Sequence, residues 1–139
     1  MTPIGKKTIK VILDSNALFV PLQFKIDIFE ELKTLLDRNF EPLLLLQVKR
    51  ELERLAKEGS PKMRKKASFA LGLAEKCKLV EVNNEIVSSS DEAIIQVAKK
   101  WKCPVFTNDR VLKKRLRDIN VPVIYVRQKS RLEINGAIY

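Results

Sequence analysis

Two short apolar segments of the chain each end in a run of small polar residues that contains a carboxylate. Residues 10–13 lead into Asp14, and residues 104–106 lead into a run that ends at Asp109. Such segments are typical of buried parallel strands, and open α/β folds bind ligands at the edge where parallel strands end. If the first and fourth strands are neighbours, Asp14 and Asp109 face each other across a crevice at that edge.

Two further acids, Glu51 and Asp91, begin helices that are predicted to follow other strands, and they could lean into the same crevice. Carboxylates that meet at close range raise at least one pKa unless a cation neutralises them. Mg²⁺ or Mn²⁺ suits this oxygen-only set, with waters and a substrate phosphate completing the coordination. One ion could activate a water, and a second ion about 4 Å away could also stabilise the departing oxygen. The acids therefore predict a metal site that hydrolyses phosphodiesters.

Each of these acids also has a structural explanation. Asp109 could cap the following helix, and Asp91 could favour the dipole of its own helix. Glu51 could pair with Arg54 on an exposed face. Small polar residues beside the acids could hold the carboxylates in place, or could be ordinary turn residues. These are Asn16, Thr107 and Asn108.

The composition indicates one compact domain with an anionic partner. The chain has 139 residues, of which 45% are hydrophobic, so it can bury a core of its own. Its formal net charge of +10, from 27 basic and 17 acidic residues, favours nucleic acid or an anionic membrane as the partner. No apolar stretch approaches the roughly 20 residues that span a bilayer, and lysines interrupt any apolar signal near the start. We therefore expect a soluble, cytoplasmic protein without a membrane partner.

The residue types that are missing exclude several classes of enzyme. The chain has no histidine, which excludes hydrolases built on Ser-His-Asp or Cys-His, H-E-x-x-H zinc peptidases and ribonucleases with an imidazole pair. None of the 4 glycines belongs to a phosphate-binding loop after a strand. Cys77 and Cys103 form no C-x-x-C pair and are expected to be buried free thiols.

Strand and helix patterns alternate along the chain. Strands are predicted at residues 8–13, 43–46, 79–82, 104–106 and 121–126. Helices are predicted at residues 26–39, 47–57, 62–76, 89–101 and 110–119. The alternation predicts an α/β doubly wound sheet of about five parallel strands with helices on both faces. The whole chain, residues 1–139, is expected to form a single domain, with an irregular basic tail at about 127–139.

Local signals set some of the boundaries between these elements. Residues 41–42 are expected to break the chain before the second strand, and residues 83–84 to form a turn. Ser60 and the proline after it are expected to start a helix, and Gly59 to end the previous one. Ser89 and Glu92 have the spacing of a capping box.

Four segments that carry the acids resemble the PIN-domain nucleases. They are Val-Ile-Leu-Asp14-Ser-Asn16, Lys-Arg-Glu51-Leu-Glu, Ser-Asp91-Glu-Ala-Ile and Thr107-Asn-Asp109-Arg-Val-Leu. The resemblance spans nearly the whole chain and implies a PIN-like sheet of strand order 3-2-1-4-5. It also implies that the four acids are catalytic residues that bind one or two Mg²⁺ or Mn²⁺ ions, and that the substrate is single-stranded or structured RNA. Glu92 stands where many such nucleases have aspartate, and it could act as a ligand through a water.

Runs of lysine and arginine supply candidate RNA contacts. They are Lys62, Arg64, Lys65, Lys66, Lys113, Lys114, Arg115, Arg117, Arg127, Lys129 and Arg131, with a further run at residues 99–102. Each run alone could be a solvated helix face, but together with the net charge they favour a surface that follows an RNA backbone. The affinity for RNA should then fall with salt by a log-log slope of roughly 0.7 per neutralised phosphate. Trp101 and Tyr125 are expected to pack in the core rather than to stack on bases.

Within the PIN group, residues 113–131 are similar to the branch that processes small-subunit ribosomal RNA, which makes an rRNA precursor the expected partner. The first alternative is a VapC-type toxin ribonuclease, which would bring an antitoxin partner. The second is a non-catalytic PIN scaffold that binds RNA during ribosome assembly, and whether the chain forms a homodimer stays open. A receiver-type phosphorelay domain is disfavoured because the third predicted strand leads to asparagines rather than to a phospho-accepting aspartate.

Overall fold

The computed structural model describes residues 8–82 and 89–138, so the turn expected at residues 83–84 lies outside the described residues. The strands are β1 (Ile9–Leu13), β2 (Phe40–Leu45), β3 (Lys78–Val80), β4 (Val105–Phe106), β5 (Val123–Arg127) and β6 (Arg131–Asn135). The helices are α1 (Ser15–Phe24), α2 (Ile28–Leu36), α3 (Leu46–Glu58), α4 (Pro61–Ala74), α5 (Ser90–Trp101) and α6 (Arg110–Asp118). Every helix in the described residues is too short or too polar to cross a bilayer.

The strands form one sheet in the order β3-β2-β1-β4-β5-β6. The first five strands in this order pair in parallel, and β6 runs antiparallel to β5. The expected order of five parallel strands with helices around them is therefore confirmed. The sequence of β1 explains its central place, because Val11, Ile12 and Leu13 are all fully buried and leave no polar face for solvent.

The structure adds two elements that the sequence patterns do not predict. The tail that was expected to be irregular contains β6, which folds back so that Arg131 pairs with Arg127 of β5. The segment before residue 26 forms α1, although Pro21 lies inside it and has no N–H for a helical hydrogen bond. Tertiary packing of the buried α1 residues outweighs this local penalty.

The second strand begins earlier than expected and includes Pro42, which the sequence placed in a break. Pro42 pairs with Val11 of β1, whereas β3 pairs only with the later part of β2, from Leu43 onward. Among the strands of the described residues, Pro42 therefore has a neighbour on one side alone. A proline without an N–H is tolerated at such an edge position.

Capping residues set the helix boundaries largely as expected. Ser60 Oγ accepts a hydrogen bond from the N–H of Met63 at 3.2 Å, and Gly59 is the C-cap of α3. Ser89 Oγ accepts from the N–H of Glu92 at 3.2 Å. Glu92 does not complete the expected capping box, because its carboxylate pairs with Arg115 instead.

The two cysteines are free thiols, as expected, and Cys103 is buried while Cys77 is half-buried. Burial raises the pKa of Cys103 to about 11 and that of Cys77 to about 12. Both thiols therefore stay protonated and unreactive at neutral pH. Trp101, by contrast, was wrongly expected in the core: it is 40% exposed, and Lys10 Nζ lies 4.4 Å from the centroid of its ring.

Candidate active site

The candidate site lies where β1 and β4 end side by side. Leu13 pairs with Phe106 across the two strands, so Asp14 and Thr107 follow at the same level of the sheet. The backbone N–H of Asp14 donates to the carbonyl of Phe106 at 3.1 Å. The expected neighbourhood of the first and fourth strands is therefore confirmed, and it places polar residues at the carboxyl edge of the sheet.

The carboxylate of Asp14 is buried and accepts three hydrogen bonds. Its Oδ1 accepts from the backbone N–H of Ser15 at 2.8 Å, and its Oδ2 accepts from Thr107 Oγ1 at 2.8 Å and from Asn16 Nδ2 at 2.9 Å. Asp14 is also the N-cap of α1, and it exposes only 5% of its surface. These contacts fix the orientation of the carboxylate, as partners outside the ligand set do at metal sites.

Two asparagines extend this network across the sheet. Asn16 Oδ1 accepts from the backbone N–H of Asn108 at 2.9 Å, and Asn108 Oδ1 accepts from the backbone N–H of Val126 at 2.8 Å. The bonds connect α1, the end of β4 and β5. The structure thus brings together Asn16, Asn108 and Thr107 in contacts that reach well beyond a local turn.

Helices α3 and α5 bring two more acids towards this edge. Glu51 does not begin α3 as expected but is its sixth residue, about one turn after the start of the helix. Its Oε2 accepts a hydrogen bond from Ser90 Oγ at 2.9 Å. Ser90 begins α5, and Asp91 follows it directly. Glu51 is therefore tied to α5 through Ser90, rather than to Arg54 as the structural explanation proposed.

Asp109 is the exposed acid of the site. Its backbone N–H donates to Thr107 Oγ1 at 3.1 Å, which links it to the network around Asp14. Its Oδ1 accepts from the N–H of Leu112 at 3.0 Å and caps α6, as the structural explanation proposed. The capping role uses one carboxylate oxygen and leaves the other available.

The four acids share one electrostatic environment, and we call Asp14, Glu51, Asp91 and Asp109 the acid cluster. Burial raises the pKa of Asp14, against the hydrogen bonds that it accepts, and the charges of Asp91 and Glu51 raise it further. Burial also raises the pKa of Asp91, followed by the charges of Asp109 and Glu51, while Arg115 opposes the shift. The acids thus repel one another across a shared space.

The chemistry of the acid cluster fits a divalent cation. Its ligand atoms are carboxylate oxygens, which Mg²⁺ and Mn²⁺ prefer, and a cation would relieve the repulsion that raises the pKa values of Asp14 and Asp91. Within residues 8–82 and 89–138, no three cysteine, aspartate or glutamate side chains already stand close enough together to hold one ion. Ligation by three or more members would therefore need side chains to adjust.

Glu92 and Arg115, each assigned a separate role from the sequence, are partners of one another. Arg115 Nη2 lies 2.7 Å from Glu92 Oε1, and both side chains are 44% exposed. An exposed pair of this kind contributes only about 0–1 kcal/mol to stability. Its placement beside Asp91 lets Arg115 moderate the repulsion within the acid cluster.

Several of the other predicted RNA contacts also have partners within the chain. Lys114 lies 3.7 Å from Asp118, and Arg127 lies 3.5 Å from Glu133. Arg117 donates a hydrogen bond to the carbonyl of Val121, and Arg131 donates one to the side chain of Gln128. Lys62, Arg64 and Lys65 are exposed at the start of α4, and Lys66 beside them is half-buried.

Lys113 lies over the aromatic ring of Tyr125. Its Nζ is 3.6 Å from the centroid of the half-buried Tyr125, within the range of a cation–π contact. Burial lowers the pKa of Lys113, and the neighbouring charges of Arg110 and Arg127 lower it further. The ring of Tyr125 therefore holds the Lys113 ammonium through a cation–π contact, which the sequence did not predict.

Two contributors to this region were not singled out from the sequence. Ser90 holds Glu51, and the available signal was a second serine beside the capping Ser89. Arg110 lies three residues before Lys113 on α6, a spacing that places both on one helix face. Neither sequence feature indicates a role in the site until the positions of the neighbouring helices and strands are known.

Comparison with known proteins gives a consistent family. A family model described as "PIN like domain" matches residues 11–129. Ribonuclease VapC4 of Methanocaldococcus jannaschii is 37% identical over 130 residues, covering 93% of this chain and 98% of that protein. The rRNA-processing protein fcf1 of Schizosaccharomyces pombe is 32% identical, covering 88% of this chain and 62% of that protein. The solved structure of the PIN domain endonuclease Utp24 is 31% identical, covers 93% of this chain and 92% of that chain, and has a TM-score of 0.76.

Proposed function

The chain belongs to the PIN-like domain family, and on that premise we propose that it is a Mg²⁺- or Mn²⁺-dependent endoribonuclease that processes ribosomal RNA precursors. The observation that carries the proposal is the acid cluster, in which the ends of β1 and β4 supply two acids and helices α3 and α5 bring the other two. Its members come from four separate parts of the chain and repel one another, yet Asp14 is buried and rigidly held. Such an arrangement is destabilising without a bound cation, which favours a functional explanation over a structural one.

The acid cluster would hold the metal, and its members have different tasks. Asp14 is fixed by Asn16 and Thr107, so it would provide a preset ligand, while the exposed Asp109 can move to meet the substrate side. Glu51 is positioned by Ser90. Nucleases of this family generally use divalent ions, and a bound ion would supply activation of a water and stabilisation of the departing oxygen.

RNA is the substrate that the charge of the protein supports. A net charge of +10 remains even though the acid cluster counts against it, and the exposed cations attract a polyanion. The likeness to the rRNA-processing protein fcf1 supports ribosomal RNA as the class of RNA, and the likeness to the endonuclease Utp24 supports internal cleavage. The cytoplasmic location expected from the sequence belongs to the same proposal.

Cleavage of RNA in the presence and absence of metal tests the proposed activity. Purified protein should cut structured and unstructured RNA with Mn²⁺ and stop when a chelator is added. Asp109→Asn should abolish cleavage, whereas the matched control Asp118→Asn, an exposed acid on the same helix paired with Lys114, should cleave like the wild type. Cleavage that persists in chelator or in Asp109→Asn would contradict the proposal.

A VapC-type toxin is the second candidate function, because the identity to VapC4 extends over nearly the whole of that protein. Under this alternative, the partner would be an antitoxin that covers the site. Induced expression in bacterial cells should then arrest growth in a manner that depends on Asp14. Specific cleavage of an rRNA precursor without growth arrest would favour the first candidate.

A further inference from the structure

An open groove of about 530 Å³ lies directly beside the acid cluster. Asn16 and Asn108, which hold the Asp14 network, also form one wall of this groove. We call it the cationic groove, after the three basic residues that line it. These are Arg110, Lys113 and Lys129.

The groove has a charge that suits a phosphate. Arg110 and Lys113 stand on one face of α6, while Lys129 reaches in from the turn between β5 and β6. The lining described by the structure contains no carboxylate. Because like charges that are held together repel one another, an anion bound between them is favoured.

The groove also has surfaces that suit a nucleobase. Phe24 and Val126 supply apolar contact, and the amide side chains of Gln23 and Gln128 supply hydrogen-bond donors and acceptors. Asn108 uses its Oδ1 on the N–H of Val126, which leaves its amino group as a donor. A volume within roughly 300–1,000 Å³, apolar walls and a few polar groups together are typical of a small-ligand site.

The turn at the rim of the groove has an unfavourable backbone for its residue types. Gln128 and Lys129 have φ angles of 53° and 57°, in the left-handed region. Glycine or asparagine usually occupies such turn positions. Disfavoured backbone conformations cluster at active sites and at segments that clamp ligands. The turn thus places the Gln128 amide and the Lys129 ammonium at the groove, although their backbone conformation is unfavourable for these residue types.

We propose that the cationic groove binds one nucleotide of single-stranded RNA next to the scissile bond, with Lys113 contacting its phosphate and the apolar wall contacting its base. The inference rests on the proposed function for its choice of RNA as the ligand. Tyr125 is a positioning residue, because its ring holds the Lys113 ammonium at 3.6 Å. The shared wall of Asn16 and Asn108 places this nucleotide beside the acid cluster.

The test is the affinity for a short fluorescein-labelled single-stranded RNA, measured by fluorescence anisotropy with the whole chain in chelator so that cleavage does not interfere. Lys113→Ala should weaken binding roughly tenfold, and Lys129→Ala, which changes an exposed turn residue, should weaken it by several-fold. The matched control is Lys57→Ala, an exposed lysine at the end of α3 outside the groove, which should change affinity less than about twofold.

Tyr125 and the base contact have their own readouts. Tyr125→Leu should lower the affinity, and Tyr125→Phe, which keeps the ring, should restore it. An abasic nucleotide moved along the RNA should weaken binding at one position more than at all others. Annealing the RNA into a duplex should abolish the difference between Lys113→Ala and wild type.

Equal effects of Lys113→Ala, Lys129→Ala and Lys57→Ala, or no binding by the wild type at low salt, would overturn the proposal. An abasic scan without a preferred position would overturn the base contact. These results are separate from the cleavage assay. If the protein cleaves RNA but the three lysine variants weaken binding equally, only the proposal about the groove is overturned. If the protein binds RNA through Lys113 but does not cleave it, only the proposed ribonuclease activity is overturned.

Discussion

The acid cluster and the cationic groove lie side by side, and each collects residues of one charge. The acid cluster is anchored by Asp14 at the end of β1, where Asp14 is 5% exposed and accepts three hydrogen bonds, and α3 and α5 bring Glu51 and Asp91 to it. The groove cations stand on α6 and on a hairpin turn, and Lys129 there is exposed. A rigid strand end thus holds Asp14, the acid that would need the most fixed geometry, while the surface of α6 and a turn hold the cations that would follow a flexible substrate.

Like charges repel one another in both regions, and the resulting pKa shifts have opposite directions. The pKa of Asp14 is raised by burial and then by neighbouring acids, whereas the pKa of Lys113 is lowered by burial and then by neighbouring arginines. A bound cation would relieve the repulsion in the acid cluster, and a bound phosphate would relieve it in the cationic groove. Substitutions in the two regions should therefore affect different measurements.

The largest effect is expected from Asp14→Asn. Loss of the fixed carboxylate should lower the rate of RNA cleavage by about a thousandfold or more, because the metal loses its preset ligand. The free energy of unfolding in chelator should change by less than about 1 kcal/mol, since removal of a buried charge offsets the lost hydrogen bonds. Cleavage kinetics and urea denaturation measure the two quantities. Normal cleavage would remove Asp14 from the proposed site.

Asn16→Ala should have the next largest effect. Asn16 connects Asp14 with the backbone of Asn108, so its loss should lower the cleavage rate roughly 10- to 100-fold. It should also lower the free energy of unfolding by about 1–3 kcal/mol, because the N–H of Asn108 loses its acceptor. If the variant weakened RNA binding and left the cleavage rate unchanged, Asn16 would belong functionally to the groove.

A combined Lys113→Ala and Lys129→Ala variant should separate the two regions by salt dependence. The log-log slope of RNA affinity against salt should decrease by about 0.7, which corresponds to the one phosphate that the groove is proposed to bind. The affinity for Mn²⁺ should stay within about twofold of wild type, because the acid cluster is intact. An unchanged slope would show that these cations do not neutralise phosphates.

The smallest effect concerns the pH dependence of stability. The pKa of Asp14 in the folded protein is raised above 3.8, so the protonated form favours folding and this stability is lost as the pH rises through the folded pKa. In chelator, Asp14→Asn should therefore gain stability relative to wild type as the pH rises above the ordinary aspartate pKa of 3.8. Urea denaturation at several pH values measures the difference. A difference that is constant or opposite in sign would contradict the raised pKa.

The sequence predicted the strand ends better than the surroundings. Asp14, Thr107 and Asp109 follow short buried strands, and that local pattern is enough to place them once β1 and β4 are neighbours. The pair of Glu92 with Arg115 depends on how α5 and α6 pack, which no local pattern contains. The Glu92 spacing instead indicated a capping box.

Two elements of the fold were missed for physical reasons. Pro21 lowers the helix propensity of α1, and tertiary burial overrides that preference. The turn before β6 has Gln128 and Lys129 in left-handed conformations, which glycine or asparagine would have signalled. The cationic groove depends on this turn, so it could not be predicted without it.

Calorimetric titration of the metal-free protein with Mn²⁺ tests most directly whether the acid cluster is a metal site. Wild type should release or absorb heat with saturable binding, and Asp14→Asn should bind at least about tenfold more weakly. Asp118→Asn should titrate like the wild type. Equal Mn²⁺ affinity in wild type and Asp14→Asn, or no binding by either, would contradict the assignment of the acid cluster as a metal site.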